Sequence, residues 1–185
     1  MSNKRYNYSA FYVSEPFCET NLGVHASKDF VYYNMLRAWK GLDSSFPFYD
    51  AHGTTYNVRD NSSWECTLKP RLHERLRNSK NIILFLSKDT HYSRALKEEI
   101  DYGINVLGLP VIVIYPDFKS NCEIADGNHP NNRIKALWNK LPIFRDNLYK
   151  VPTVHVPMKK EYIIKALNDS DFTIQKKHYN FCWCY

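Results

Sequence analysis

Two stretches of this chain are apolar almost without interruption, "NIILFLS" (81–87) and "LPVIVIYP" (109–116). A strand with one wet face alternates polar and apolar residues, whereas a strand covered on both faces has no reason to. Two such strands, each continuously apolar, require a layer of structure above and below the sheet that holds them. Between them lies "HYSRALKEEIDYGIN" (91–105), in which apolar residues recur at helical spacing. Strand, helix and strand in that order make a crossover unit, which places the two strands parallel.

The rest of the chain extends the alternation. "YSAFYV" (8–13) is aromatic and β-prone and is expected to be the first strand. "SKDFVYYNMLRAWKGL" (27–42) has Phe30, Tyr33, Met35, Leu36 and Trp39 near helical spacing, with Ser27 or Asp29 to cap it and Gly41 to end it. "FPFYD" (46–50) is expected to be a short second strand ending on an acid, followed by a polar loop. In "SSWECTLKPRLHERLRNS" (62–79), Ser62 stands three residues before Glu65 as a capping box, and Leu68, Leu72 and Leu76 form an apolar stripe. Pro70 interrupts that helix, because proline lacks the backbone donor and clashes with the turn before it. A further helix is expected at 132–141, a last strand at 151–157 and a last helix at 159–167. The sum is an α/β domain with a five-stranded parallel sheet and helices on both faces. Residues 1–168 are expected to form this domain, with an aromatic tail over 169–185 that packs on it or adds an edge strand. In such sheets ligands bind at the carboxyl ends of the strands, so the loops after residues 13, 50, 87 and 116 carry the first candidates.

Composition narrows the function classes. At 185 residues with 44% hydrophobic and 24% charged residues, the chain can bury a core. No run of about 18 apolar residues and no secretory h-region are present, so neither a membrane span nor a secreted protein is expected. The five cysteines are odd in number and scattered, which reads as free thiols in a reducing cytoplasm, and "CWC" (182–184) has no partner pair for zinc. The net charge of +6 is spread along the chain without a dense basic run; nucleic acid and a phosphate-bearing small molecule are both open as partners, and a solvated basic surface is the reading it fits best. Neither G-x-G-x-x-G nor G-x-x-x-x-G-K-[ST] occurs, nor G-x-S-x-G, nor H-E-x-x-H, and the seven histidines lack metal-ligand spacing. The chemistry is left to acids, hydroxyls and loop backbone.

Helical phase sorts the acids of 91–105. At roughly 100° per residue, Leu96, Ile100, Ile104 and Leu107 fall within an arc of about 80°, with Gly103 beside it. Glu98 lies roughly 170° and Asp101 roughly 110° from its centre, as solvated positions do. Glu99 is about 90° away, at the border of the buried stripe beside Tyr92, Ala95 and Tyr102. A carboxylate there is partly shielded from water and suits the stabilisation of a developing cation.

"YDAH" (49–52), "RDNSSWECTLKPRLHERLRNSKNIILFLSKDT" (59–90), "SRALKEEID" (93–101) and "LPVIVI" (109–114), in that order, resemble the TIR-like domain of the bacterial Thoeris anti-phage defence systems, the ThsB family. The resemblance covers roughly residues 8–116. It implies a flavodoxin-like TIR fold and similarity to TIR enzymes that cleave the nicotinamide–ribose bond of NAD. NAD would be the substrate, with no separate cofactor or metal. The product would be a cyclic ADP-ribose isomer or an ADP-ribose conjugate, which activates a partner effector protein once a phage component triggers the system. Association into a homo-oligomer completes the site in many TIR enzymes.

Residue by residue, the family's catalytic glutamate matches Glu99. The end of the first strand, Phe11, Tyr12 and Ser14, matches positions lining nicotinamide and ribose. Asp50 and His52 match its "DAH" motif, and Arg59, Asp60 and Ser62 the loop that follows, where Arg59 would meet the diphosphate. Tyr92 and Ser93 open the glutamate's own helix on the substrate side. Phe11 also suits the core, Asp50 a loop cap and Ser62 a helix cap. Two features depart from the family: Ala95 and Glu98 stand where aromatics are common, and Pro70 stands in an otherwise unbroken helix. With those departures, two further readings stay open: a TIR-fold interaction module without turnover, and a hydrolase resembling nucleoside deoxyribosyltransferases.

Overall fold

A computed structural model describes residues 8–11, 26–51, 63–90, 94–173 and 182–185. Its centre is a five-stranded parallel sheet of β1 (Tyr8–Phe11), β2 (Ser79–Phe85), β3 (Val111–Tyr115), β6 (Thr153–Pro157) and β7 (Cys182–Cys184), in that spatial order. The two apolar runs are adjacent strands in register, Ile82 opposite Val111 and Phe85 opposite Ile114. Their side chains divide between two cores. Ile82, Leu84, Val111 and Val113 face one side with Leu72 and Leu76 of α2 (Lys69–Arg77) and Leu96 and Ile100 of α3 (Arg94–Ile100). Ile83, Phe85, Ile112 and Ile114 face the other with Tyr33 and Leu36 of α1 (Ala26–Leu42) and Ile163 and Leu167 of α7 (Lys160–Asn168). Strands without a polar face are thus explained by helices above and below, and the α/β class with a flavodoxin-like layering is as expected.

The five strands are not the five expected. Segment 46–50 forms no strand; it meets the sheet only through a single parallel bridge between Ser9 and Asp50, with the Ser9 N–H on the Tyr49 carbonyl at 3.0 Å. Pro47 brings no N–H to a ladder, and it is buried together with Phe46 and Phe48 on either side, so the one-in, one-out alternation of a half-covered strand is absent. The bridge still puts this segment outside β1, the place of the second strand in the flavodoxin order. The fifth strand comes from the tail: β7 adds to β6 with Val154 opposite Trp183, and the Cys184 N–H reaches the Asn128 carbonyl beyond it.

Between β3 and β6 the chain is more ordered than its polarity suggests. It forms α4 (Asn121–Ile124), a two-residue ribbon of β4 (Ala125–Asp126) and β5 (His129–Pro130), α5 (Asn132–Trp138) and α6 (Pro142–Arg145).

The helix over 62–79 has two parts. Trp64–Leu68 winds with wide i→i+5 bonds, Leu68 to Ser63 and Lys69 to Trp64, and α2 follows with Pro70 in its first turn. Proline is tolerated there because a first-turn donor has no helical partner to lose. The cap is Ser63, whose hydroxyl accepts from the Cys66 N–H at 3.3 Å, while Ser62 lies outside the described residues. The helix carrying Glu99 is likewise regular only over Arg94–Ile100 and continues over Asp101–Val106 in the wide form. Gly103 sits in that second part against β2, where a Cβ would come within 2.4 Å of Ile82 Cδ1. A larger residue here would oblige the end of the Ile82 side chain to move aside.

Candidate functional site

α2 and α3 lie side by side on one face of the sheet. On α2 the buried residues are Leu72, Arg75 and Leu76, and on α3 they are Ala95, Leu96, Glu99 and Ile100. Each set is one helical stripe with a single charged member. The two charges meet: an Arg75 Nη2–H donates to Glu99 Oε1 in direct contact, and both side chains are about 5% exposed or less, at 5% and 4%. Glu99 is therefore inside the stripe and not on its border. The phase estimate centred the stripe on the sheet alone. Here α2 covers the flank of α3 as well, so the buried arc turns toward Ala95 and Glu99.

Glu99 Oε2 is buried and, among the described residues, has no hydrogen-bond partner. Burial pushes the carboxyl up, to about 8, against the pull of the Arg75 guanidinium in the opposite direction. The result is a carboxyl with one oxygen fixed, one oxygen uncommitted, and a protonation equilibrium near neutrality. The Arg75 carbonyl, at the end of α2, accepts from Ser79 Oγ at 2.8 Å and so ties the helix to the start of β2.

The neighbouring acids behave differently. Asp101 is exposed and accepts from Asn105 Nδ2 at 2.7 Å, as a surface acid would. Glu98 does not fit the solvated role expected of it. Its Oε1 lies 2.8 Å from His73 Nε2 and 3.2 Å from Lys69 Nζ, and it joins α3 to α2. His73 in turn stacks on Tyr102 at 3.6 Å between ring centroids, and Arg77 Nη1–H donates to the Tyr102 hydroxyl at 3.0 Å. Tyr102 is thus engaged by its own helix pair, with one ring face taken by His73.

The other expected site residues fall in three groups. Asp50 is held on the α1 side of the sheet, where Tyr33 Oη–H donates to Oδ2 at 2.5 Å and Arg37 Nε lies 3.9 Å away. Asp50 and Glu99 are tied to helices on opposite faces, and the described contacts do not join them. Phe11 lies on β1, its backbone in register with Ile83 of β2. Tyr12, Ser14, His52, Arg59, Asp60, Ser62, Tyr92 and Ser93 lie outside the described residues. Arg75 was missed by the reading of the sequence. The signal for it was there: it follows Leu72 by three and precedes Leu76 by one, inside an apolar stripe, as Glu99 stands between Leu96 and Ile100.

A second buried polar cluster lies at the far edge of the sheet. Trp138 Nε1–H donates to Tyr115 Oη at 3.0 Å, Tyr115 Oη is 2.7 Å from His155 Nδ1, and His155 Nε2 is 3.0 Å from Cys182 Sγ. The assignment that satisfies every group has Tyr115 donating to Nδ1 and the Nε2–H donating to the sulfur. Complete burial pushes His155 down, to about 3, so the ring is neutral at ordinary pH. Burial also pushes the Cys182 and Cys184 thiols up, to about 12, away from reactive thiolates.

Among the described residues, no group of three or more His, Cys, Asp and Glu side chains is gathered to hold a metal ion, and no helix is long and apolar enough to cross a membrane. The family model described as Thoeris protein ThsB, TIR-like domain, matches residues 8–121. That span runs from β1 through the Glu99 helix and β3 to the start of α4, which is more than half of the chain, and the protein belongs to the ThsB TIR-like family of Thoeris defence systems.

Proposed function

We propose that this chain is a cytoplasmic TIR enzyme of anti-phage defence that cleaves the nicotinamide–ribose bond of NAD. The observation that carries the reading is Glu99: a buried carboxyl with one oxygen on Arg75 and the other without a partner among the described residues. It occupies the position of the catalytic glutamate that the family resemblance implies. In the step, the C1′–N bond of NAD breaks, its electron pair leaves with nicotinamide, and positive charge develops on the ribosyl carbon and ring oxygen. An ionised Glu99 is worth most at that moment, when the charge it faces has appeared. A hydroxyl, amine or water then captures the ribosyl carbon, giving a cyclic isomer, a conjugate or linear ADP-ribose. The first two would be the diffusible signal to a partner effector. Phe11, Tyr12 and Ser14 would line nicotinamide and ribose, Asp50 and His52 would flank that end of the sheet, Arg59, Asp60 and Ser62 would meet the diphosphate, and Tyr92 and Ser93 would border the glutamate.

A second reading, an interaction module without turnover, is favoured by the burial of Glu99 and by Ala95, which is itself buried and offers no ring to stack on a substrate. One experiment separates them. The full chain is incubated with NAD, with and without lysate from phage-infected cells, and nicotinamide release is followed for wild type, Glu99→Ala and Glu98→Ala. Release that falls about 100-fold or more in Glu99→Ala and persists in Glu98→Ala is expected. The reverse pattern overturns the assignment, absence of release with every activator supports the module, and hydrolysis of free nucleosides in place of NAD supports a nucleoside hydrolase.

A further inference from the structure

Most buried carboxylates that serve chemistry are tuned by what surrounds them, and the surroundings of Glu99 are few enough to name. From α2, the charged and titratable groups facing α3 are Arg75, on Glu99, and His73 and Lys69, both on Glu98. From the sheet, Ile82 and Leu84 face this side and carry no charge. α6 also packs near α3, and its one charged side chain, Arg145, is held by Asp146 at 2.7 Å and Asn139 at 3.0 Å. Along α3 itself, Arg94 is on Glu65, Lys97 is exposed and Glu98 is engaged by α2, while in its continuation Asp101 is exposed and Tyr102 accepts from Arg77 of α2. Arg75 is therefore the only cation among the described residues in contact with Glu99.

We infer that Arg75 is the positioning residue of the reaction: it grips Glu99 Oε1 and leaves Oε2 uncommitted for the substrate. The inference rests on the NAD-cleaving reading of Glu99 given above. Three observations support it. The contact is made by a single oxygen, so the guanidinium does not close over both oxygens as a fork-to-fork pair does. The other oxygen is buried and without a partner among the described residues, a state that costs free energy and that a bound hydroxyl or developing cation would relieve. Burial and Arg75 act on the carboxyl in opposite directions, so Arg75 sets the pH at which Glu99 becomes charged.

Arg75 does not touch the reacting atoms in this scheme, so its loss must be read as a shift and not only as a drop in rate. Two readouts are taken on the full chain for wild type, Arg75→Gln and Arg75→Lys. One is the pH profile of nicotinamide release. The other is the carboxyl carbon resonance of Glu99 in protein labelled at glutamate, assigned by its disappearance in Glu99→Gln. Arg75→Gln is expected to move the Glu99 titration, and the rising limb of activity with it, to higher pH by roughly one to three units. Activity returns at high pH, and Arg75→Lys restores much of the wild-type profile. A Glu99 titration at the same pH in wild type and Arg75→Gln overturns the inference, as does a loss of activity equal at every pH. Should Arg75→Gln not fold, Arg75→Met, which fills a similar volume without the charge, decides: a Glu99 titration moved to higher pH supports the inference and an unmoved one overturns it. The resonance is measured without turnover, so a protein that cleaves no NAD defeats the functional reading while the role of Arg75 is still decided.

Discussion

The two buried polar clusters of this protein are built on opposite principles. At the sheet edge, Trp138, Tyr115, His155 and Cys182 form a chain of neutral groups in which every donor meets an acceptor. Under α2 and α3, Arg75 brings a full positive charge into an apolar setting against the Glu99 carboxyl, which becomes negative only as pH rises through about 8, and Glu99 Oε2 has no partner among the described residues. A satisfied neutral network stabilises and orders the packing around it. A buried ion pair is a poor way to gain stability, because desolvation consumes most of the attraction. The first cluster is what a fold keeps for itself, and the second is the one we propose serves chemistry. His155 lies at the centre of the first and joins β6 to Cys182 of β7 through its Nε2.

The largest expected effect on stability follows from this contrast. His155→Ala removes a ring of zero exposure, leaves a cavity and strands the Tyr115 hydroxyl, and is expected to cost about 3–5 kcal/mol in chemical denaturation. Loss near zero would place the edge network among ornaments of the fold and erase the comparison.

The pH dependence of stability separates the clusters by sign. His155 has its folded pKa lowered to about 3, below the ordinary value of 6.5, so the unfolded chain takes the proton first. Its contribution is complete above about 6.5 and is lost as pH falls toward 3. Glu99 has its folded pKa raised to about 8 from 4.5, so the folded chain holds the proton longer. Its contribution is complete below 4.5 and is lost as pH rises through about 8. Unfolding free energies of wild type and His155→Asn across this range are expected to converge toward acid. Curves of wild type and Glu99→Gln, whose amide mimics the protonated carboxyl, are expected to run together in acid and to separate toward alkali as wild type alone loses stability. A constant gap in either pair would contradict the corresponding assignment.

The smallest effect is expected at Glu98. Its partners Lys69 and His73 are partly exposed, so Glu98→Ala is expected to cost about 1 kcal/mol or less in thermal or chemical unfolding. A larger cost would mean that the contact between α2 and α3 depends on this surface bridge more than on the pair beneath it.

How much of this was legible in the sequence depends on how local the cause is. β2 and β3 were plain in "NIILFLS" and "LPVIVIYP", because two-sided burial leaves its mark on consecutive residues. Segment 46–50 misled, because its aromatic content says strand while Pro47 at its centre brings no N–H to a ladder. The tail could be narrowed only to an edge strand or a cover, since the choice depends on β6 having a free edge. Within the site, phase singled out Glu99 among three acids but underestimated its burial, because that depends on α2 standing beside α3. Arg75 was legible only once the two stripes were known to touch. The wide turns over Trp64–Leu68 and Asp101–Val106 left no mark that periodicity detects, since one extra residue per turn changes the facing of every residue beyond it.

The contrast between the clusters comes to a single test in the double variant Glu99→Leu, Arg75→Met, with unfolding and nicotinamide release measured on the same preparation. Replacing both charges together removes the pair without orphaning either member, which in buried pairs is neutral or stabilising by about 1–4 kcal/mol. A protein as stable as wild type or more so, with NAD cleavage abolished, is the predicted result. A double variant that unfolds as readily as His155→Ala, or that still releases nicotinamide, would contradict the assignment of this pair to chemistry.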